Sequence, residues 1–326
     1  MSTASDRAPL LSVEALRVGF GPARSRLWAV DDVDLTIQPG ESVGLVGESG
    51  CGKTTLGRSI MRLVPAQAGR IRFDGQDVRA LSGAALRAYR KHVQMVFQDP
   101  YGSLNARIPV GQAIEEVLQV HRIGTRQQRQ ERVADLFQAV GLDPGYRRRY
   151  PHEFSGGQRQ RIGLARALAV DPQLVIADEP VSALDVSVQV QILNLMKDLQ
   201  RQMKLAYLFV AHDLAVVRYL CDRIYVMYLG KIVESGPPDL LFSAPRHPYT
   251  QALLAAVPDV DKGLRQKRSA STEPALKGDV GGREPPIGGC RFEPRCPLAQ
   301  ARCRSEAPVL EEHEAGHHAA CHFARS

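Results

Sequence analysis

Ser42-Val43-Gly44-Leu45-Val46-Gly47-Glu48-Ser49-Gly50-Cys51-Gly52-Lys53-Thr54-Thr55 decides the fold. An apolar run short enough to be a buried strand (Ser42–Val46) leads into a glycine-rich turn. The turn opens a helical pattern, expected over Lys53–Leu63. Strand, glycine-rich loop and helix in that order predict a parallel α/β core. The loop itself has the chemistry of a phosphate cradle. Its glycines let backbone N–H groups turn toward phosphate oxygens, and the helix start adds its positive dipole end. Lys53 is placed to neutralise the β- and γ-phosphates, Thr54 to ligate Mg²⁺, and Thr55 to bond the α-phosphate side. Gly47, Glu48, Ser49, Gly50, Cys51 and Gly52 complete the loop. This pattern alone leaves kinases, GTPases, helicases and transporters open.

Short apolar runs at Leu16–Phe20 and Val33–Ile37 precede the loop and read as strands. Downstream, Leu174-Val175-Ile176-Ala177 is an apolar strand ending in Asp178-Glu179. Such a strand delivers both acids to the carboxyl edge of the sheet, where open α/β folds bind ligands. Asp178 is suited to hold the Mg²⁺ water shell, and Glu179 to polarise an attacking water. Leu208–Ala211 is a further strand, and Val188–Met203 an amphipathic helix. Between the two α/β segments, residues 99–165 carry helical periodicity at Gln112–Val120 and Arg129–Val140, capped by Gly141. Ser155-Gly156-Gly157-Gln158 opens another helix, Arg159–Ala169, and makes a second anion-binding helix end.

These motifs together resemble the nucleotide-binding subunits of ABC transporters. The phosphate loop is followed by Gln98 in Val96-Phe97-Gln98-Asp99-Pro100, similar to the Q-loop, and by Ser155–Gln158, similar to the ABC signature. After Asp178-Glu179 come Ser182-Ala183-Leu184-Asp185, similar to the D-loop, and His212 in Val210-Ala211-His212-Asp213, similar to the H-loop. The signature segment sets the chain apart from kinases, GTPases and helicases. The resemblance implies a head-to-tail dimer with two ATP molecules sandwiched between the phosphate loop of one chain and Ser155–Gln158 of the other. It implies that Gln98 senses Mg²⁺ and the attacking water, that His212 contacts the γ-phosphate and holds Glu179, and that Phe20 stacks on adenine. Asp185 joins the nucleotide-site residues on the same basis. The implied fold is a P-loop ABC-type ATPase core over residues 10–260, with a helical subdomain at about 99–165.

Within that family, Gly-Glu-Ser-Gly-Cys-Gly-Lys and Arg246-His247-Pro248-Tyr249-Thr250-Gln251-Ala252-Leu253-Leu254 look like the dipeptide and oligopeptide importers. Nickel importers and some other solute importers of this branch share the second segment, and a soluble non-transport ABC ATPase is a more distant alternative. Residues 261–289, rich in Gly, Pro, Ser and charge, read as a linker to a small extension, 290–326. That extension holds Cys290, Cys296, Cys303 and Cys321, spaced C-x5-C-x6-C-x17-C, unlike the paired C-x2-C of common zinc ribbons. Some peptide-importer ATPases carry a 4Fe–4S cluster on such an extension. Zinc is the rival, with His317, His318 and His322 close by.

The bulk properties agree with this reading. Lys and Arg total 42 against 35 Asp and Glu, a net charge of +7. The single dense basic run, Arg147-Arg148-Arg149, is too short to argue for nucleic-acid binding. No segment approaches the roughly 20 apolar residues of a membrane span, and Met1–Leu11 lacks the features of a secretory signal. These features lead to the expectation of a cytoplasmic protein, and the resemblance implies that it works at the cytoplasmic face of the plasma membrane. Its expected partners are a second ATPase chain, two transmembrane permease subunits and an extracytoplasmic solute-binding protein.

Overall fold

The structure is a computed structural model that describes residues 8–22, 25–99, 102–182, 184–256 and 288–324. Most of the expected linker, together with Pro100 and Ala183, lies outside the described residues.

The strands follow in order as β1 (Leu11–Phe20), β2 (Leu27–Ile37), β3 (Ser42–Val46), β4 (Ala68–Phe73), β5 (Gln76–Asp77), β6 (Val93–Val96), β7 (Leu174–Asp178), β8 (Ala206–Ala211), β9 (Arg223–Tyr228), β10 (Lys231–Gly236), β11 (Glu311–Glu314) and β12 (His317–Ala319). Among the described residues they form two sheets. The smaller has the order β2-β1-β4-β5, and the larger β11-β12-β10-β9-β3-β8-β7-β6. In the larger sheet β9, β3, β8, β7 and β6 run parallel. The helices that matter for the site are α1 (Lys53–Ile60), α2 (Gly83–His92), α3 (Val110–Val120), α4 (Arg126–Ala139), α5 (Gly156–Leu168), α6 (Val186–Met203), α7 (Leu214–Leu220), α8 (Pro238–Ser243) and α9 (Pro248–Ala255).

The continuous apolar runs of β3, β7 and β8 are the consequence of cover on both faces, and every residue of the three is buried. Their side chains alternate between two cores with the strand period of two. Leu174, Ile176, Leu208 and Val210 join Leu56 and Ile60 of α1 and the small sheet. Val175, Ala177, Tyr207 and Phe209 join α5, α6 and α7 on the other side. The loop before α1 therefore sits at the carboxyl end of a strand fixed from both faces.

The helices α3 and α4 form a pair tied by Arg129 Nε to Glu115 Oε1 at 3.3 Å. Gly141, at φ 68°, supplies the left-handed stop after α4. The helix starts lie earlier than hydrophobic periodicity indicates. Thr125 with Gln128, and Ser155 with Gln158, make reciprocal capping boxes before the first apolar position. β1 begins before Leu16 because its alternation is broken by irregular pairing with β2 between Val13 and Leu16, where Ala15 has a positive φ.

The C-terminal residues are not an isolated appendage. The β11–β12 hairpin extends the large sheet by pairing with β10, Glu234 opposite Ala319 and Ser235 opposite His318. Glu234, fully buried, anchors this seam. It accepts from the backbone N–H of Arg246 at 2.7 Å and of His247 at 2.9 Å, and its Oε1 lies 2.7 Å from His317 Nε2. Glu234→Ala leaves these buried groups without their partner. We expect a loss of about 3–5 kcal/mol and a melting temperature lower by on the order of 10 °C, read by thermal denaturation.

Candidate nucleotide site

Four segments meet at the carboxyl edge of the large sheet. The glycine-rich loop is shaped by close backbone approach. Gly52 has φ 110°, and a Cβ there would lie 1.9 Å from the Ala29 carbonyl oxygen, so only glycine fits. Gly52 offers no side chain to cap α1, which leaves the first N–H groups of the helix turned to the loop. Lys53, 5% exposed, donates from Nζ to the carbonyl oxygens of Gly47 at 2.6 Å and Glu48 at 2.9 Å. Its ammonium is thus held inside the loop, and Cys51 beside it is buried, with its thiol pushed up by desolvation.

Thr54 Oγ1 donates to Asp178 Oδ1 at 2.9 Å. This bond joins the start of α1 to the end of β7. Asp178 is 1% exposed, and burial raises its pKa, while the Thr54 hydrogen bond acts the other way. A hydroxyl and a carboxylate side by side form the all-oxygen pair that Mg²⁺ takes, so these two residues fit the expected metal.

Glu179 leaves the strand with φ 45°, a strained setting for a non-glycine residue. Its backbone N–H is held by Val210 O at 2.8 Å. The turn sends the Glu179 carboxylate away from Asp178 and toward two other loops. Gln98 Nε2, just past β6, donates to Glu179 Oε2 at 2.8 Å. His212 Nδ1, just past β8, lies 3.3 Å from the same oxygen. Two sequence-predicted residues, from the ends of β6 and β8, therefore converge on one carboxylate oxygen of a third, at the end of β7.

The remaining expected residues are placed as follows. Phe20, at the end of β1, is 49% exposed, a ring available for stacking rather than a core aromatic. Ser155 Oγ accepts from Gln158 N–H at 3.3 Å, and Gln158 Oε1 accepts from Ser155 N–H at 3.0 Å. Gly157 has a packing reason that the sequence does not reveal, because a Cβ there would lie 2.4 Å from Val188 Cγ1. Asp185 is exposed at the start of α6 and makes no side-chain cap there. Beside Gln98, an open cleft of about 880 Å³ runs between α1, β6 and α3, lined by Arg58, Met61, Phe97, Asn105, Val117 and Arg166 among others.

The cysteines fare differently. Cys290, Cys296, Cys303 and Cys321 share one neighbourhood. The thiols of Cys290, Cys296 and Cys321 are pushed up by burial first and by the proximity of other cysteines second, Cys296 to about 11. Yet among the described residues no three His, Cys, Asp or Glu side chains are arranged to hold a metal ion. The expectation of a 4Fe–4S or zinc site on this extension finds no support.

Reading the sequence alone misses Tyr249 and Arg295, both of which touch Glu48 of the glycine-rich loop. The His-Pro-Tyr segment is a signal for the first. His247 Nδ1 accepts from the Tyr249 N–H at 3.0 Å, and burial holds His247 neutral with a pKa of about 3. Pro248 starts α9, and Tyr249 Oη reaches the Glu48 N–H at 2.8 Å.

Comparison with known proteins agrees with this geometry. Residues 30–182 match the ABC transporter family model, and residues 233–303 match the oligopeptide/dipeptide transporter C-terminal region. The chain is 47% identical over 330 residues to the oligopeptide transport ATP-binding protein AppF of Bacillus subtilis, covering 98% of this chain and 99% of that one. It is 48% identical over 313 residues to a protein of Brucella ovis named for peptide import ATP binding, covering 96% and 97%. Among solved structures, cbiO1 of Clostridium perfringens, part of the ABC transporter complex cbiONQ, aligns with a TM-score of 0.65 at 26% identity, covering 73% of this chain and 92% of that one. A dimeric ATP-binding cassette bound to ADP and Pi aligns with a TM-score of 0.64 at 26% identity, covering 70% and 98%.

Proposed function

We propose a working cycle for a chain that belongs to the ABC transporter ATPases, in their oligopeptide and dipeptide importer branch: it binds Mg-ATP and hydrolyses it to power peptide import. The observation that carries the catalytic reading is the convergence of Gln98 and His212 on Glu179, next to the Thr54–Asp178 pair.

Each residue has a role in this reading. The loop 47–55 and the start of α1 hold the phosphates by backbone N–H groups, and Lys53 exchanges its two carbonyl partners for phosphate oxygens. Phe20 stacks on the adenine ring. Mg²⁺, held by Thr54 and Asp178 with Gln98 nearby, supplies charge neutralisation at the phosphates. Glu179 takes a proton from the attacking water as a general base. Gln98 and His212 keep its carboxylate aimed. Ser155, Gly156, Gly157 and Gln158 present the α5 start, with Asp185, to the nucleotide of a partner subunit. The two-subunit arrangement is supported by the dimeric cassette that this chain resembles.

In the same reading the ATPase core spans residues 10–260, with a helical subdomain at about 99–165, a linker at 261–289 and an extension at 290–326. The cleft beside Gln98 receives a cytoplasmic helix of a permease subunit, which couples nucleotide state to transport. Among the described residues no helix is long and apolar enough to cross a membrane. The chain then works at the cytoplasmic membrane face through two permeases, which receive cargo from an extracytoplasmic binding protein. Peptides are favoured over nickel by the names of relatives that match nearly end to end. The test is uptake by vesicles carrying the chain with its permeases and binding protein. ATP-dependent accumulation of a labelled di- or oligopeptide is expected, and accumulation of Ni²⁺ instead of peptide would replace the substrate assignment.

A further inference from the structure

Glu48 is gripped on three sides, twice from the C-terminal region. Its backbone N–H donates to Tyr249 Oη at 2.8 Å, and its carbonyl oxygen accepts from Lys53 Nζ at 2.9 Å. Its carboxylate accepts a fork of two bonds from Arg295, Nη1 to Oε2 at 2.8 Å and Nη2 to Oε1 at 3.0 Å. A fork of this kind gives both direction and strength. The Arg295 side chain is 10% exposed and that of Glu48 22%, so solvent screens the pair only in part.

The element that carries Arg295 is itself well fixed. Phe292, 1% exposed, packs edge-on against Tyr228 with ring centroids 5.2 Å apart, and tilted against Tyr249 at 5.6 Å. Arg291 pairs with Asp31 and with the Leu229 carbonyl. The guanidinium of Arg295 also lies over the Tyr228 ring, 5.9 Å from its centroid. A segment 247 residues away in sequence is thus seated on the loop that receives the nucleotide.

The loop has an electrostatic problem that this contact resolves. A carboxylate at its second position repels the polyphosphate that the loop must enclose, in a partly buried place where charges are felt strongly. We propose that Arg295 is a positioning residue of the ATP site, which neutralises the Glu48 carboxylate and holds it turned away from the phosphates. The C-terminal extension is therefore a working part of the nucleotide pocket. This inference rests on the reading that loop 47–55 binds the phosphates of ATP.

The test measures the dissociation constant for Mg-ATP on the full chain, with folding monitored by thermal melting. Arg295→Gln, which keeps length and much of the packing, is expected to weaken Mg-ATP binding roughly ten-fold. The loss is expected to be smaller for ADP, which carries less charge. Adding Glu48→Gln to Arg295→Gln removes the repelling charge, so affinity should return to within about three-fold of wild type. Arg295→Lys keeps the charge but loses the fork, so its affinity should fall between that of Arg295→Gln and wild type, which preserves the test if the glutamine variant fails to fold. Wild-type affinity in Arg295→Gln would overturn the inference. So would equal weakness of the single and double variants, because that pattern marks a structural role alone. A wild-type chain that does not bind Mg-ATP would overturn the reading of the loop, and this inference with it.

Discussion

Glu179→Gln is expected to lower ATP turnover by roughly 10²–10⁴-fold, the contribution of a positioned general base, while Mg-ATP still binds. The substitution keeps the size and shape of the side chain and removes only its capacity to accept a proton. The backbone that aims Glu179 is unaffected, since its N–H bond to Val210 O and its φ of 45° do not depend on the carboxylate. Gln98 and His212 lie within reach of Glu179 Oε2 at 2.8 and 3.3 Å, so both keep a polar partner in the variant. The neighbouring acid is not a substitute. Asp178 is buried, and its carboxylate is occupied by the Thr54 hydroxyl. Steady-state phosphate release checks the expectation. Turnover at the wild-type rate would show that another group activates the water.

Lys53→Ala is expected to weaken Mg-ATP binding on the order of 100-fold, the loss of a charge-assisted bond in a partly desolvated site. The ammonium is pre-placed inside the loop, on the Gly47 and Glu48 carbonyls, and need only exchange partners when phosphate arrives. Little side-chain entropy remains to be lost on binding, which is why a single lysine contributes so much there. Equilibrium titration of the full chain with Mg-ATP measures the effect, and a change under about three-fold would remove Lys53 from the phosphate contacts.

The parts of this site that could be read from the sequence are those built by local pattern. Ser42–Val46 is found as a strand with the same limits, because five buried residues in a row leave no ambiguity about where it ends. The Asp178–Glu179 pair follows a strand of the same kind, and the glycines of the loop announce backbone geometry that other residues cannot adopt. Boundaries suffer where local chemistry other than hydrophobicity sets them. The starts of α4 and α5 are fixed by polar capping boxes, so apolar periodicity places both three residues late.

What the sequence hides is contact between distant segments. Arg295 and Glu48 lie 247 residues apart in sequence, and nothing near either residue encodes the other. The same holds for His317 and Glu234, the pair that lets a C-terminal hairpin become part of the central sheet. The cysteine spacing is a weaker guide. Four thiols near one another in sequence invite a metal, and the fold gathers them in one neighbourhood, but among the described residues no three His, Cys, Asp or Glu side chains are arranged to hold one. The His-Pro-Tyr segment stands between these cases. Its conformation is local, a capped helix start, while its reach to the Glu48 N–H depends on the whole fold.

The central claim is that ATP joins two copies of this site, each completing the other across Ser155–Gln158. The most direct measurement is the mass in solution of the full-length Glu179→Gln chain, alone or with its natural ATPase partner, before and after saturating Mg-ATP. The account predicts a stable dimer that forms with Mg-ATP and is lost with ADP. A chain that stays monomeric at saturating Mg-ATP, with or without that partner, would contradict it.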